Sequence, residues 1–231
     1  MDIKINLKIF LFAAIFYLTG QINIYGICML FAVLHELGHL LAGLFTGFRI
    51  RSIKIMPLGL SIKFSIFPKE YNNKVLKGKV INFKKILIAL AGPITNIVLA
   101  VLIYYKNISI FGISCEHIIY VNVLIAIFNM IPIYPLDGGR ILKNICKLFF
   151  GLKRATTYTN TTANITIILL TMISSVAIYY FENISILFII IYLWMLVLME
   201  NRKYNIKVNM YKIIESGKRK IEEEELMIKV K

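Results

Sequence analysis

The sequence predicts an all-α polytopic membrane protein of about six transmembrane helices with a small re-entrant β-hairpin. The apolar share of 58% and the mean hydropathy of +0.74 exceed what soluble domains show, which is about 45–50% apolar residues. Several apolar runs also reach the length of about 20 residues that a membrane-spanning helix needs. With six spans, nearly all basic residues fall on one face of the membrane.

The apolar runs define the spans in chain order, and charged loops separate them. The runs cover residues 8–25, 26–47, 86–105, 117–148 (broken in its middle), 163–181 and 184–200. The first run has the basic flank of a signal peptide, but no small-residue cleavage site follows it and the next run begins at once. We therefore interpret it as a retained helix.

Charge placement orients these spans. If the N-terminus is cytoplasmic, all of the 27 basic residues except Lys106 lie on the inside, as the positive-inside rule requires. This predicts a multi-pass integral membrane protein with both termini in the cytoplasm. The net charge of +15 is then a property of cytoplasmic loops that face the lipid bilayer, and nucleic acid is not expected as a partner.

Two segments interrupt the helical pattern. Residues 50–67 alternate apolar and polar side chains on both sides of Pro57-Leu58-Gly59, which is typical of a hairpin. Residues 129–139 carry Pro132 and Pro135 inside an apolar run. Backbone that leaves the helix at membrane depth is tolerated only where it is buried in protein or lines a wet cavity. The second break therefore indicates a functional site.

The segment His35-Glu36-Leu37-Gly38-His39 predicts a metal site inside the second span. Residues i and i+4 share one helix face, so both imidazoles can reach one ion. The carboxylate of Glu36 is placed to take a proton from metal-activated water. A helix-packing hydrogen bond would explain one intramembrane histidine, but it does not explain three ionisable groups on neighbouring turns.

A catalytic zinc ion needs a third protein ligand. Of the twelve carboxylates, Asp137 is the one outside the second span that lies within a membrane segment, directly after the proline break. It is therefore the candidate third ligand. An alternative role is to cap the helix that resumes at Gly138.

These motifs resemble those of the site-2 protease family of intramembrane zinc metalloproteases, peptidase family M50. The resemblance covers about residues 26–150 and rests on the three segments 35–39, Ala91–Asn96 and Asn129–Gly138. It implies one zinc ion per chain held by His35, His39 and Asp137, with Glu36 activating water. Asn129 then engages the substrate or stabilises the intermediate, although a helix-interface hydrogen bond is an equal alternative. The role of Asn96 is interpreted as structural.

The resemblance also implies a domain layout. It assigns residues 1–200 to the protease domain, with the zinc-site core at 26–150 and the hairpin beside the active site, where a strand edge can pair with an unwound substrate. Short external loops leave no room for a PDZ-like insert. Residues 201–231 are expected to form a charged cytoplasmic tail without a CBS domain.

Within the family, the compact core most resembles the sporulation branch, that of stage IV sporulation protein FB, which cleaves a membrane-associated pro-sigma factor in bacteria. The expected function is zinc endopeptidase activity on a membrane-associated regulator. A membrane regulator or inhibitor protein is a further possible partner.

Three other functions are alternatives for this sequence. The first is a general site-2-type protease acting on an anti-sigma factor or on signal-peptide remnants. A zinc transporter would need further intramembrane ligands, but the remaining histidine, His117, is placed near the outer end of its span. An inactive scaffold would have no need for Glu36.

Cysteine labelling tests the six-span topology. In a variant lacking the three native cysteines, Lys77→Cys and Lys207→Cys should resist a membrane-impermeant thiol reagent in intact cells, because both positions are expected in the cytoplasm. Asn107→Cys should react, since it is expected outside. Labelling of Lys77→Cys from outside would contradict the topology.

Overall fold

The computed structural model describes residues 2–5, 22–56, 59–65, 76–110, 112–181 and 185–230, with isolated positions between 10 and 20. The described parts form three strands and five helices. The strands are β1 (Asp2–Ile5), β2 (Arg49–Met56) and β3 (Gly59–Ser65). The helices are α1 (Ile22–Phe45), α2 (Leu76–Lys106), α3 (Cys115–Asn129), α4 (Asp137–Phe181) and α5 (Ser185–Val230).

Three helical segments are long and apolar enough to cross a membrane: Ile22–Phe45, Gly78–Lys106 and Asp137–Tyr180. Helix α3 is apolar but has only 15 residues. These helices agree with a membrane protein. Most of the predicted span 8–25 lies outside the described residues, so the number of six spans stays a prediction.

Helix α2 occupies the centre of the fold, where it packs against α1, α3 and α4. A side chain at Gly38 would collide with the Thr95 side chain and lie 2.9 Å from the carbonyl oxygen of Ala91. The backbones of α1 and α2 therefore approach closely at the level of the two histidines. One apolar cluster, built around Ile27, Phe31, Ile103 and Ile118, joins α1, α2 and α3.

A second apolar cluster joins α4 and α5. It includes Ile167 of α4 and Leu193 and Val197 of α5. Ile133, from the segment between α3 and α4, is fully buried in the same cluster. The non-helical segment is therefore anchored in the protein interior, which is what its predicted position at membrane depth would require.

The helix α4 contains a kink. Gly151 has φ 78° and ψ 176°, a backbone conformation that glycine adopts without steric cost. The kink falls between the predicted spans 117–148 and 163–181. Helix α5 continues past the expected domain boundary at residue 200, and its Glu215 pairs with Lys153 of α4 at 3.4 Å.

The hairpin expected over residues 50–67 corresponds to β2 and β3, which pair antiparallel. Its turn at residues 57–58 lies outside the described residues, and its position relative to the membrane stays a prediction. The strand β1 pairs parallel with β2, with Asp2 opposite Ser52. This strand was not predicted, although the alternation of polar and apolar residues in Asp2–Ile5 is its signal.

Candidate metal centre

Two elements bring the three expected ligands together. His35 and His39 lie on one face of α1, and Asp137 is the first residue of α4; each is 3% exposed. The carboxylate Oδ2 of Asp137 lies 3.1 Å from His35 Nε2 and 3.0 Å from His39 Nε2. The three ligand atoms all lie within 4.8 Å of one another.

A backbone carbonyl fixes the tautomer of His39. The ring atom Nδ1 lies 2.6 Å from the carbonyl oxygen of Ile88, and because a carbonyl only accepts, Nδ1 must carry the hydrogen. The amide nitrogen of Gly92, 3.3 Å from the same Nδ1, therefore cannot donate to it. In the neutral ring, the lone pair is on Nε2 and faces Asp137.

This geometry requires a positive charge between the ligand atoms. A lone pair on His39 Nε2 and a carboxylate oxygen repel each other at 3.0 Å unless a proton or a metal ion lies between them. The two separations from Asp137 Oδ2, 3.1 and 3.0 Å, are close to the roughly 3.3 Å edge of a zinc tetrahedron with bonds of about 2.0 Å, and the two histidine nitrogens lie within 4.8 Å of each other. Two imidazoles and one carboxylate are also a ligand set that catalytic zinc uses. The residues therefore fit a zinc ion.

Gly92 of α2 has no side chain, and this leaves room for the two imidazoles of the metal centre. A Cβ atom at Gly92 would lie 2.5 Å from His39 Nε2 and 2.6 Å from His35 Nε2. Glycine is needed there because the α2 backbone passes directly over both imidazoles. The segment Ala91–Asn96 thus contributes to the metal centre through its glycine. Asn96 is fully buried and, within the described part of the chain, its side chain has no hydrogen-bond partner.

The break between α3 and α4 sets the position of Asp137. A side chain at Gly138 would collide with the carbonyl group of Met130, and one at Gly139 would lie 2.8 Å from the carbonyl oxygen of Ile133. The two glycines therefore allow α4 to start directly against the segment that precedes it. Arg140 then donates to Asp137 Oδ1 at 3.2 Å, which leaves Oδ2 directed at the histidines.

Glu36 and His39 border a cavity of about 320 Å³. The aromatic rings of Phe48, Phe64 and Tyr134 also line it. Among the described residues, the Glu36 carboxylate makes no hydrogen bond or ion pair. The structure thus places a carboxylate with free oxygen atoms in the same cavity as one of the metal-ligand candidates.

Asn129 is the last residue of α3, immediately before the break. Its side-chain amide is half-buried and donates to the carbonyl oxygen of Ile125 at 3.0 Å. This bond is within its own helix, and the amide oxygen is left to accept another bond. A role in binding substrate stays a prediction.

Several residues of this site are not evident from the sequence. Gly92 belongs to a motif that predicts only close packing, and the carbonyl of Ile88 has no sequence signal at all. Four basic residues also line the cavity, although the sequence relates them only to the orientation of the spans: Lys85, Arg140, Lys143 and Lys147. Their signal was the spacing of the last three on one face of a helix.

Comparisons with known proteins agree with this geometry. The family model described as Peptidase family M50 matches residues 24–116 and 108–173. Stage IV sporulation protein FB of Bacillus subtilis is 30% identical over 144 residues, which are 62% of this chain and 46% of that protein. A zinc metalloprotease of Methanocaldococcus jannaschii is 31% identical over 126 residues, covering 54% of this chain and 34% of the relative. The chain thus spans less than half the length of these curated relatives.

A solved structure has the same fold. The site-2 protease from Methanocaldococcus jannaschii superimposes with a TM-score of 0.60 at 23% sequence identity. The match covers 86% of this chain and 89% of that chain. At this identity the likeness supports the arrangement of helices and strands, and the chemistry of the site rests on its own residues.

Gly92→Ala tests whether an ion occupies the space between the imidazoles. The added methyl group would sit against both Nε2 atoms, so the purified variant should bind little zinc. The matched control is Gly78→Ala in the same helix, where nothing lies within 4 Å of the added carbon. Zinc is measured by mass spectrometry, and helix content by circular dichroism. Full zinc content in a folded Gly92→Ala variant would contradict the assignment.

Asp137→Asn separates the ligand role from the capping role. Asparagine keeps an oxygen for capping and for Arg140 but loses the negative charge, so the affinity for zinc should fall by tenfold or more. The measurement is competition against a zinc chelator. If Asp137 only caps α4, the affinity should stay at the wild-type value, because asparagine caps helices about as well as aspartate.

Proposed function

The chain belongs to peptidase family M50, the site-2 protease family, and from this premise we propose that it is an intramembrane zinc endopeptidase. Its substrate would be a membrane-associated protein. The observation that carries the proposal is the buried group of His35, His39 and Asp137 beside a cavity that also contains Glu36.

Each residue of the group has a separate task in this proposal. His35 Nε2, His39 Nε2 and Asp137 Oδ2 would hold one zinc ion, which supplies a Lewis acid that activates water and polarises the scissile carbonyl. The Ile88 carbonyl orients the His39 ring, and Arg140 holds the second carboxylate oxygen of Asp137. Such outer partners fix the ligand geometry.

Glu36 is proposed as the general base. A carboxylate oxygen of Glu36 would accept the proton of the attacking water and then deliver it to the leaving nitrogen. The absence of competing bonds to this carboxylate among the described residues supports the role. Its place in the cavity, next to His39, gives it access to a bound peptide.

The sheet is the proposed binding place for the substrate backbone. The strand order is β1-β2-β3, so β3 has one edge that pairs with no other described strand. Phe64 of β3 lines the cavity and packs against Gly43 of α1, which holds the strand beside the metal centre. An unwound substrate segment could pair with this edge, and Asn129 would contact it at the start of the break.

The proposal also includes the predicted topology and domain layout. These are six spans with both termini in the cytoplasm, a protease domain over residues 1–200 and a charged tail over 201–231. A pro-sigma factor as substrate is supported by the likeness to stage IV sporulation protein FB. A broader protease that acts on anti-sigma factors or signal-peptide remnants is the alternative.

The transporter alternative finds less support. Within the described part of the chain, His35, His39 and Asp137 form the one group suited to bind a metal. His117 is exposed and hydrogen-bonds to Ser114 Oγ at 2.7 Å. A series of sites along a transport path is therefore not evident among these residues.

Glu36→Gln separates the protease from a transporter. The variant should keep its zinc, because Glu36 is not a proposed ligand, while cleavage of a co-expressed membrane-tethered reporter falls by about 100-fold to 10,000-fold. The matched control is Glu116→Gln, which changes an exposed carboxylate in α3 and should cleave normally. Normal cleavage by Glu36→Gln would contradict the mechanism, and zinc flux retained without any cleavage by the wild type would favour a transporter.

A further inference from the structure

One wall of the cavity is strongly basic. It consists of Lys85 from α2 and Arg140, Lys143 and Lys147 from α4; we call these four residues the basic wall. Among the residues that line the cavity, Glu36 is the one acidic side chain. The wall therefore carries a large excess of positive charge beside the proposed catalytic centre.

Little within the described residues neutralises this charge. Arg140 is paired with Asp137 and the charge of Lys143 is attracted by that of Glu200, but the three lysines form no ion pair within the described residues. The ammonium group of Lys143 lies 4.5 Å from the centre of the Tyr134 ring, a contact that leaves its charge in place. The charge of Lys147 interacts unfavourably with those of Lys85 and Lys143. Clustered like charges at a concave site attract anions.

The wall has a defined distance from the metal centre. Lys143 and Lys147 follow Asp137 by six and ten residues on α4, so they lie about 9 and 15 Å further along the helix axis. An extended peptide advances about 3.3 Å per residue. A substrate bound across the centre would therefore present to these lysines the side chains roughly three to five residues from its scissile bond.

We propose that the basic wall is a specificity subsite that binds acidic side chains in the cytoplasmic flank of the substrate, roughly three to five residues from the scissile bond. The proposal rests on the proposed protease function and on the predicted orientation, in which the part of α4 before Gly151 runs towards the cytoplasm. It identifies the substrate class as membrane-associated proteins with an acidic cytoplasmic flank.

Such a subsite would also exclude wrong substrates. Most membrane proteins carry lysine and arginine in their cytoplasmic flanks, and the wall would repel them. An unfavourable charge contact against competitors is an efficient source of specificity. A protease whose active site is open to the bilayer needs this discrimination, because apolar segments offer few other distinguishing features.

An anionic lipid headgroup is the other candidate occupant. The cavity that contains the wall also contains Glu36 and His39, so a headgroup held there would occupy the space in front of the metal centre. An acidic peptide segment instead continues the substrate chain that the centre must bind. The geometry therefore favours the peptide.

Binding of three synthetic peptides tests the proposal. Each has the same apolar spanning segment, and its flank contains three glutamate, glutamine or lysine residues. The full chain carrying Glu36→Gln is held in phosphatidylcholine nanodiscs, and Kd is measured by fluorescence anisotropy. The glutamate peptide should bind about tenfold tighter than the glutamine peptide, as expected for several partly exposed ion pairs, and the lysine peptide should bind weakest.

Substitutions in the basic wall test whether its lysines cause the preference for the glutamate peptide. Lys143→Gln with Lys147→Gln should remove most of the preference for glutamate while binding of the glutamine peptide is retained, which also reports correct folding. The matched control, Lys79→Gln with Lys84→Gln, makes the same change of charge on α2 at two lysines that do not line the cavity and should keep the preference. Lys143→Glu with Lys147→Glu should reverse the order of the glutamate and lysine peptides.

Two results would overturn the proposal. One is an equal Kd for the three peptides, or no binding of the glutamate peptide. The other is a preference that the Lys143 and Lys147 variants leave unchanged. If the lysines instead determine retention of phosphatidylglycerol and not peptide affinity, the wall is a lipid site. The binding assay needs no hydrolysis, so absence of cleavage by the wild type would contradict the protease function without affecting this result.

Discussion

The structure depends on the convergence of three electron-rich atoms in a buried place. His35 Nε2, His39 Nε2 and Asp137 Oδ2 can remain together only if a positive charge lies among them, because their mutual repulsion is poorly screened away from water. The elements around them are arranged to enforce that convergence. Helix α1 supplies two ligand atoms from one face, α2 fixes an imidazole through Ile88, and α4 begins with the third.

Close backbone contacts make this convergence possible. Gly38 lets α1 approach α2, and Gly92 lets α2 pass over the imidazoles. Gly138 and Gly139 let α4 begin against the non-helical segment that precedes it. In a membrane, interfaces between helices rely on small residues in this way, since apolar side chains gain little by leaving lipid. Here the same feature also determines the space available for a metal ion.

The basic residues have two consequences in this chain. In the predicted six-span topology, nearly all of them would lie on one cytoplasmic face. Three of them, Arg140, Lys143 and Lys147, also lie at helical spacing after Asp137 and line the cavity. If α4 has the predicted orientation, the residues that orient it in the bilayer would be the same ones that bring positive charge close to the proposed catalytic centre. The predicted topology and the proposed substrate preference would then have one physical origin.

The sequence by itself determined the local features. The spacing of His35, Glu36 and His39 predicts a shared helix face, the alternation around residues 57–59 predicts a hairpin, and the prolines predict a break before Asp137. Each prediction follows from the periodicity of a helix or strand, or from the amide hydrogen that proline lacks. Each therefore depends only on residues that are close together in the sequence. The tertiary structure alone decided the features that depend on contacts between segments far apart in the sequence. Three features arise where separate elements meet: the hydrogen bond from His39 to Ile88, the space next to Gly92 that the imidazoles occupy, and the pairing of β1 with β2. Packing sets the distances between such elements, and the pattern of residues along the chain does not reveal those distances.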